Sequence, residues 1–229
     1  MSGGDHYSFS TYDEVVGRIA HHLQPTTILD IGAGSGKYGR LIRAVLPNAT
    51  ITALEMDAEC IEVHGLGQIY DEILEITGSE LITNHPLRNF DLVILGDVIE
   101  HMRKSGGVDL LDFLTYRTQY TLIITPEAMM MNKAPWYLGH NSTWTSRDFV
   151  WHTNWADTYS NQMQLFLLRG YIIAELPLSQ IVGRLNAEQM QVTYEGVTET
   201  CILEHHEHVR TRLRPLNENS SLIDWWRAY

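Results

Sequence analysis

The sequence predicts an α/β fold: a three-layer α/β/α doubly wound sheet of about seven strands, mostly parallel, with an antiparallel edge strand. Three observations predict it. Short apolar, β-branched runs alternate with amphipathic helical patterns over the first half of the chain, the order that a parallel sheet with helices on both faces requires. One run, Phe90 to Gly96, is apolar almost throughout, as a strand covered on both faces must be. The first run, beginning at Ile28, empties into a loop that carries Gly32, Gly34, Gly36 and Gly39. Such a loop sets crowded backbone N–H groups and a helix N-terminus at the strand's carboxyl end, with no Cβ in the way of a ligand.

The 229 residues fit a single domain spanning 1–229, long enough to bury a sizeable core. No apolar run reaches the ~20 residues of a membrane span and no basic-then-apolar leader opens the chain, so a cytoplasmic protein with no membrane contact is the expectation. Cys60 and Cys201 read as buried free thiols, not as a disulfide or a zinc site. Sixteen Lys and Arg against 28 Asp and Glu give a net charge of −12, which disfavours nucleic acid as a partner.

Taken in order, residues 1–24 form a polar lead and then a helix with Val15, Val16, Ile19, Ala20 and Leu23 on one face. Residues 41–46 continue a second helix, stopped by Pro47-Asn48, and Thr50 to Met56 is the second strand. Asp57 caps the helix that starts at Ala58, and Ile69 to Leu74 is the third strand. Phe90 to Gly96 follows, then a helix begun at Asp97 and resumed over Gly107 to Leu114, then a fifth strand from Tyr120 to Thr125. Thr145-x-x-Asp148 is a capping-box start. A helix from Thr158 to Arg169 stopped by Gly170, a sixth strand from Tyr171 to Leu176, and a hairpin of 190–194 with 198–204 supplying the edge strand complete the reading. His205, His206 and His208 read as solvated, and His21 and His22 as helix-end residues. Trp225 and Trp226, in a C-terminal extension over 206–229, need burial on the body or on a second copy of the chain, as in a homodimer.

The glycine loop discriminates among ligands by register. A P-loop fails twice, at Ile31 and at Tyr38. A dinucleotide fingerprint begun at Gly32 meets Lys37 where glycine is required. Asp30-x-Gly32-x-Gly34-x-Gly36 remains, with Glu55 lying 19 residues past Gly36 at the end of the next strand. An acid at about that spacing receives ribose hydroxyls in strand–loop–helix–strand nucleoside sites. This pair of features resembles motif I and the following acid of the class I S-adenosylmethionine (SAM) dependent methyltransferases. The resemblance covers about residues 25–205 and implies SAM as cofactor, S-adenosylhomocysteine as product, Asp30 acting on the methionine part through the loop, and Met56 against adenine. It also implies an N-terminal helical lid over 1–24, with His6, Tyr7 and Tyr12 as lid residues, and Glu75-Ile76 near the adenine.

A second cluster follows the fourth strand. On a helix begun at Asp97, the side chains of Asp97, Glu100 and His101 would project from one face where the transferred methyl should sit. Many SAM methyltransferases resemble this acid-x-x-Glu-His stretch. Residues 126–145, with Met129, Met130, Met131, Trp136, Tyr137, His140 and Trp144, read as the acceptor loop and lid. His140 to Trp144 resembles a His-x-Ser-x-Trp pattern of bacterial family members encoded with glycan or secondary-metabolite pathways. His140, ahead of His101, is the candidate base for an acceptor hydroxyl or amine. A divalent ion on Asp97, Glu100, His101 and His140, as in the similar small-RNA 2′-O-methyltransferases, is the less favoured reading. The expected activity is methylation of an oxygen on a small-molecule acceptor such as a sugar or a secondary-metabolite intermediate, with a small amine next and a SAM-binding scaffold as the non-enzyme reading.

Overall fold

The computed structural model describes residues 9–127, 139–160, 162–194 and 196–207. His6, Tyr7, most of the acceptor loop, His208 and the two tail tryptophans lie outside the described residues. Ten strands and six helices alternate along the described chain: α1 (Asp13–Leu23), β1 (Thr27–Ile31), α2 (Lys37–Val45), β2 (Thr50–Leu54), α3 (Ala58–Val63), β3 (Glu72–Leu74), α4 (Gly78–Asn84), β4 (Phe90–Gly96), α5 (Lys104–Thr115), β5 (Thr118–Pro126), β6 (Asn154–Ser160), β7 (Met163–Arg169), α6 (Leu178–Ala187), β8 (Gln191–Tyr194), β9 (Val197–Thr200) and β10 (Glu204–Glu207). Eight strands form one sheet in the order β10-β6-β7-β5-β4-β1-β2-β3. The run from β3 to β5 is parallel, whereas β7, β6 and β10 each lie antiparallel to the preceding neighbour.

Two apolar layers enclose this sheet. Val15, Val16, Ile19 and Ala20 of α1, Ile42 of α2 and Ile181 and Leu185 of α6 pack against one face. Leu81 of α4 and Leu110, Leu111 and Leu114 of α5 pack against the other, together with Trp144 and Phe149. Burying β1 and β4 from both sides puts their carboxyl ends, and the loops that follow, at a single rim. That rim is where open parallel sheets bind ligands.

Several expectations are corrected. Thr158 to Arg169 is the β6–β7 hairpin, not a helix: β7 is a central strand buried on both faces, and an unbroken apolar run carries no period to separate strand from helix. Gly170 does not end a helix; a Cβ there would lie 2.1 Å from the Thr118 carbonyl oxygen, so the glycine permits close backbone approach. Residues 171–176 form no strand, and α6 follows them. The hairpin β8–β9 stands apart as its own two-stranded sheet, and the antiparallel edge strand is β10. His205 and His206, read as solvated, lie in that strand and bond Asn154 (2.9 Å) and Asp157 (3.1 Å). Tyr12 is buried, its hydroxyl donating to the Met163 carbonyl (3.0 Å), so it is a core residue and not part of a lid. The Thr145–Asp148 capping box is present but opens a single 3₁₀ turn, Ser146–Phe149. Cys60 and Cys201 are buried free thiols, as expected.

His152 closes this turn. It is 4% exposed among Phe149 and Trp151, and burial lowers its pKa from 6.5 to about 4. The unfolded chain therefore binds more protons than the folded one between those values, so stability is full above pH 6.5 and falls as the pH drops towards 4. The loss amounts to about 3 kcal/mol across that window. Urea unfolding of the parent and of His152→Leu at pH 7 and pH 4.5 should show the parent losing that much more than the variant. Equal pH slopes would refute the assignment.

Candidate active site

The glycine loop adopts the conformation its register implies. Gly32, Gly34 and Gly36 have φ values of 70°, 52° and 78°, in the left-handed region where a side chain is strained. At Gly32 a Cβ would also fall 2.3 Å from the Val98 side chain. The Leu54 carbonyl, at the end of β2, accepts the N–H groups of Gly32 and Ala33 and binds the turn to the neighbouring strand. Lys37 pairs with Asp13 on α1 at 2.6 Å.

Asp30 lies behind the loop, fully buried, and its carboxylate accepts the Tyr70 hydroxyl at 2.5 Å. That same hydroxyl accepts the N–H of Gly39 in the first turn of α2 (3.2 Å). Burial raises the Asp30 pKa to about 7 against the lowering effect of Tyr70, and Oδ1 meets no hydrogen-bond partner among the described residues. Sequence reasoning missed Tyr70, whose only signal was Gly39, where a Cβ would lie 2.4 Å from the tyrosine ring.

Glu55 leaves β2 and reaches back to the loop. One oxygen accepts Gly34 N–H (2.9 Å) and the other accepts Asp57 N–H (3.0 Å), while Asp57 caps α3 by accepting from Glu59 and Cys60 N–H groups. Each carboxylate oxygen keeps lone pairs for a further donor. Glu55, Met56 and Gly32 line a cavity of about 420 Å³, with Ile76, Thr77 and Val98 on its other walls. Its size and its lining, mostly apolar with a few convergent polar groups, suit a nucleoside-sized ligand. Glu55 and Asp109 both line it, apolar side chains flank it, and the buried Asp30 oxygen lies behind the loop. These residues fit SAM.

Beyond Val98 the backbone departs from expectation. Asp97 has φ 54°, so no helix starts there; a 3₁₀ turn, Ile99–His101, precedes α5. The one-face argument for Asp97, Glu100 and His101 therefore fails, yet the turn achieves a convergence of its own. Glu100, His101 and His140 each bring one ligand-type atom within 4.8 Å of the others. Asp97 is not in that set; it is half-buried close by and helps raise Glu100. Glu100 is 2% exposed and accepts the Thr125 hydroxyl (3.2 Å), and burial, reinforced by Asp97, lifts its pKa to about 8. The rings of His101 and His140 meet edge to face at 4.7 Å. Burial and the His101 charge lower the pKa of His140.

What holds His140 there is the segment after it. Asn141 and Ser142 donate their N–H groups to the Glu100 carbonyl (2.7 and 3.0 Å), and Asn141 Nδ2 donates to the His101 carbonyl (2.9 Å). Ser142 Oγ and Trp144 Nε1 both donate to the Ile99 carbonyl at 3.2 Å. Trp144, expected in the acceptor pocket, is instead 1% exposed in the core, with Lys104 Nζ lying 3.6 Å from its ring centroid. The His-x-Ser-x-Trp pattern is thus a docking device that carries a histidine.

With this geometry in place, similarity can be weighed. An O-methyltransferase family protein from Burkholderia thailandensis superposes with a TM-score of 0.53 at 15% identity, over 69% of this chain and 55% of that one. The plantazolicin methyltransferase BpumL in complex with SAH gives 0.51 at 13% identity, over 70% and 82%. The methyltransferase domain of bacterial CtHen1-C gives 0.55 at 14% identity, over 70% and 97%. The chain has the fold of the class I SAM-dependent methyltransferases. It spans about half, 55%, of the length of the Burkholderia protein, and no family model or curated protein matches its sequence. In this fold the glycine loop and Glu55 stand at the carboxyl rim of the parallel strands, and Glu100, His101 and His140 lie along the same rim.

Glu100 carries a testable cost. Its folded-state pKa lies above its unfolded value, so the stability it contributes is complete below pH 4.5 and is lost as the pH rises through about 8. Glu100→Gln, measured in chelator at pH 8.5, should be more stable than the parent by on the order of 3 kcal/mol, with the advantage vanishing near pH 4.5. A variant less stable than the parent at pH 8.5 would show that the carboxylate is compensated by contacts in the folded state.

Proposed function

We propose that the chain is a SAM-dependent methyltransferase that methylates a hydroxyl oxygen of a small-molecule acceptor, with a divalent cation at Glu100, His101 and His140. The observation that carries this reading is the convergence of those three side chains at the sheet's carboxyl rim, next to the Val98 wall of the nucleoside-sized cavity. SAM supplies an electrophilic sulfonium methyl group. A cation on one carboxylate and two imidazoles would lower the pKa of an acceptor hydroxyl bound to it.

The chain's own groups then have defined tasks. Glu55 receives the ribose hydroxyls while holding Gly34, and Met56 covers the base. Glu100 is a buried acid next to Asp97, so a cation would relieve the repulsion between the two and return Glu100 to its charged form. The Thr125 hydroxyl orients Glu100. His140 and His101 offer ring nitrogens to the cluster, and the docked 141–144 segment fixes where His140 stands. Catalysis here is largely positioning, because displacement at a methyl group needs an oxygen about 3 Å away and in line.

A second reading has its own support. The lowered pKa of His140 keeps that imidazole neutral at pH 7, ready to take the acceptor's proton without a metal. The acidity of the chain, −12 overall, favours a small neutral or amine-bearing acceptor over RNA.

Turnover of an acceptor panel before and after EDTA, with re-addition of Mn²⁺ or Mg²⁺, separates the two readings. Activity lost in chelator and restored by the ion is expected; activity unchanged by chelator removes the cation and leaves His140 as base. His140→Ala should lower kcat at least a hundredfold and leave SAM affinity within about twofold by calorimetry, since general-base or metal-ligand loss costs on the order of 10²–10⁴. Loss of SAM binding in that variant would place His140 in the cofactor site instead. No SAM binding by the parent would overturn the methyltransferase reading itself.

A further inference from the structure

The edge strand β10 presents a feature that methyl transfer does not use. Glu204 is the register partner of Asp157 on β6, so two carboxylates stand opposite one another on neighbouring strands. That arrangement is destabilising without intervening positive charge. Among the described residues neither acid pairs with a Lys or an Arg. His206, two residues along and on the same face of the strand, brings Nε2 to 3.1 Å from Asp157 Oδ1. Its ring is stacked on Trp155 with centroids 4.0 Å apart, which fixes its direction. One donor atom from each of Asp157, Glu204 and His206 lies within 4.8 Å of the others. Asp157 and Glu204 also face a cavity of about 430 Å³, walled otherwise by hydroxyl and amide groups such as Ser146, Thr158 and Gln164 and by a third carboxylate, Glu127.

We propose that Asp157, Glu204 and His206 form a second divalent-cation site, independent of the Glu100 cluster, which clips the edge strand to β6. Two carboxylate oxygens and one imidazole nitrogen form a donor set suited to Zn²⁺ or Mn²⁺, with ligand distances of about 2.0–2.2 Å that small side-chain rotations from the present positions provide. The remaining coordination position faces the polar cavity, where water or a ligand oxygen completes it. The ion supplies positive charge between the opposed acids, which His206 gives only when protonated. It also acts at an edge of the sheet, because β10 is four residues long and pairs with one neighbour there.

The test is titration of the chelator-treated full chain with Zn²⁺ and with Mn²⁺ by calorimetry, paired with thermal melting. Asp157→Asn should lose one ion per chain, or bind it at least tenfold more weakly, and should lose the rise in Tm that the ion gives the parent. His140→Ala should keep that site. In chelator Asp157→Asn should melt no lower than the parent, because it removes one of two opposed charges; Glu204→Gln, altering the exposed member of the pair, is the second variant. Binding with parental stoichiometry and affinity in either variant overturns the proposal, as does loss of all binding in His140→Ala. A single site in the parent, lost or weakened in both Asp157→Asn and Glu204→Gln and kept in His140→Ala, upholds it while removing the cation from the transfer site.

Discussion

The candidate site depends on the two hydrogen bonds by which the Glu100 carbonyl holds the N–H groups of Asn141 and Ser142. Those bonds join residues about forty positions apart, and through them the side chain of His140 is delivered to His101. The geometry is robust because several weaker constraints share it. Trp144 fills the core beneath the 3₁₀ turn, its indole N–H satisfied by Ser142 Oγ (2.8 Å) and the Ile99 carbonyl. Gln164, on the central strand β7, donates to the Trp144 carbonyl (2.8 Å). A buried tryptophan with its polar atom partnered is an anchor of large apolar area and fixed direction. His140 is therefore positioned by residues that pack in the core and pair with backbone groups.

Charge sets the second constraint. Asp30 and Glu100 are buried acids whose pKa values are pushed to about 7 and about 8. Each opposes folding near neutral pH, and among the described residues neither forms an ion pair with a lysine or an arginine. Groups kept at such a cost cluster at sites where a ligand offsets it. The two have different compensations. Asp30 has Tyr70, whose hydroxyl at once satisfies the carboxylate and the first turn of α2, so β1, the approach to β3 and the glycine loop share one buried junction. Glu100 has a backbone hydrogen bond and the neutral hydroxyl of Thr125, and a cation shared with His101 and His140 would complete it.

The division between what could and could not be read from the chain follows the range of the interactions. β1, the glycine register, α2, β2 and β4 were legible because each is specified locally by period, capping and glycine placement, and Glu55 because its spacing from the glycine loop is set by one helix and one strand. The loop at Gly32–Gly36 is a backbone fact, and its three left-handed glycines follow from spacing alone. Tyr70 was not legible, because its partner Asp30 is forty residues away and nothing near Tyr70 signals a contact. β7 was read as helix because a strand buried on both faces loses the alternation that identifies strands. β10, Glu-His-His-Glu, carries no strand signal at all; it pairs as an edge strand through its backbone.

The sequence grouped Asp97, Glu100 and His101 on a helix face and added His140 only for a less favoured cation, whereas the structure brings Glu100, His101 and His140 together without Asp97. A helix begun at Asp97 would have aligned Asp97, Glu100 and His101 on one face; the left-handed residue at 97 prevents that helix. The strained conformation has a role of its own. Asp97 N–H donates to the Ile124 carbonyl (2.9 Å), extending the β4–β5 pairing by one residue before the chain turns. The turn then lies flat against the end of β5, where Thr125 meets Glu100, instead of rising from the sheet as a helix would. A flat turn lets the Ile99, Glu100 and His101 carbonyls accept the 141–144 segment, Ile99 while also accepting the Met102 N–H, and in a continuing α-helix those carbonyls would be consumed by N–H groups four residues on. The departure from helix at Asp97 is thus the condition for docking His140. A strained residue beside a site and a histidine imported from a distant loop are two consequences of one backbone choice.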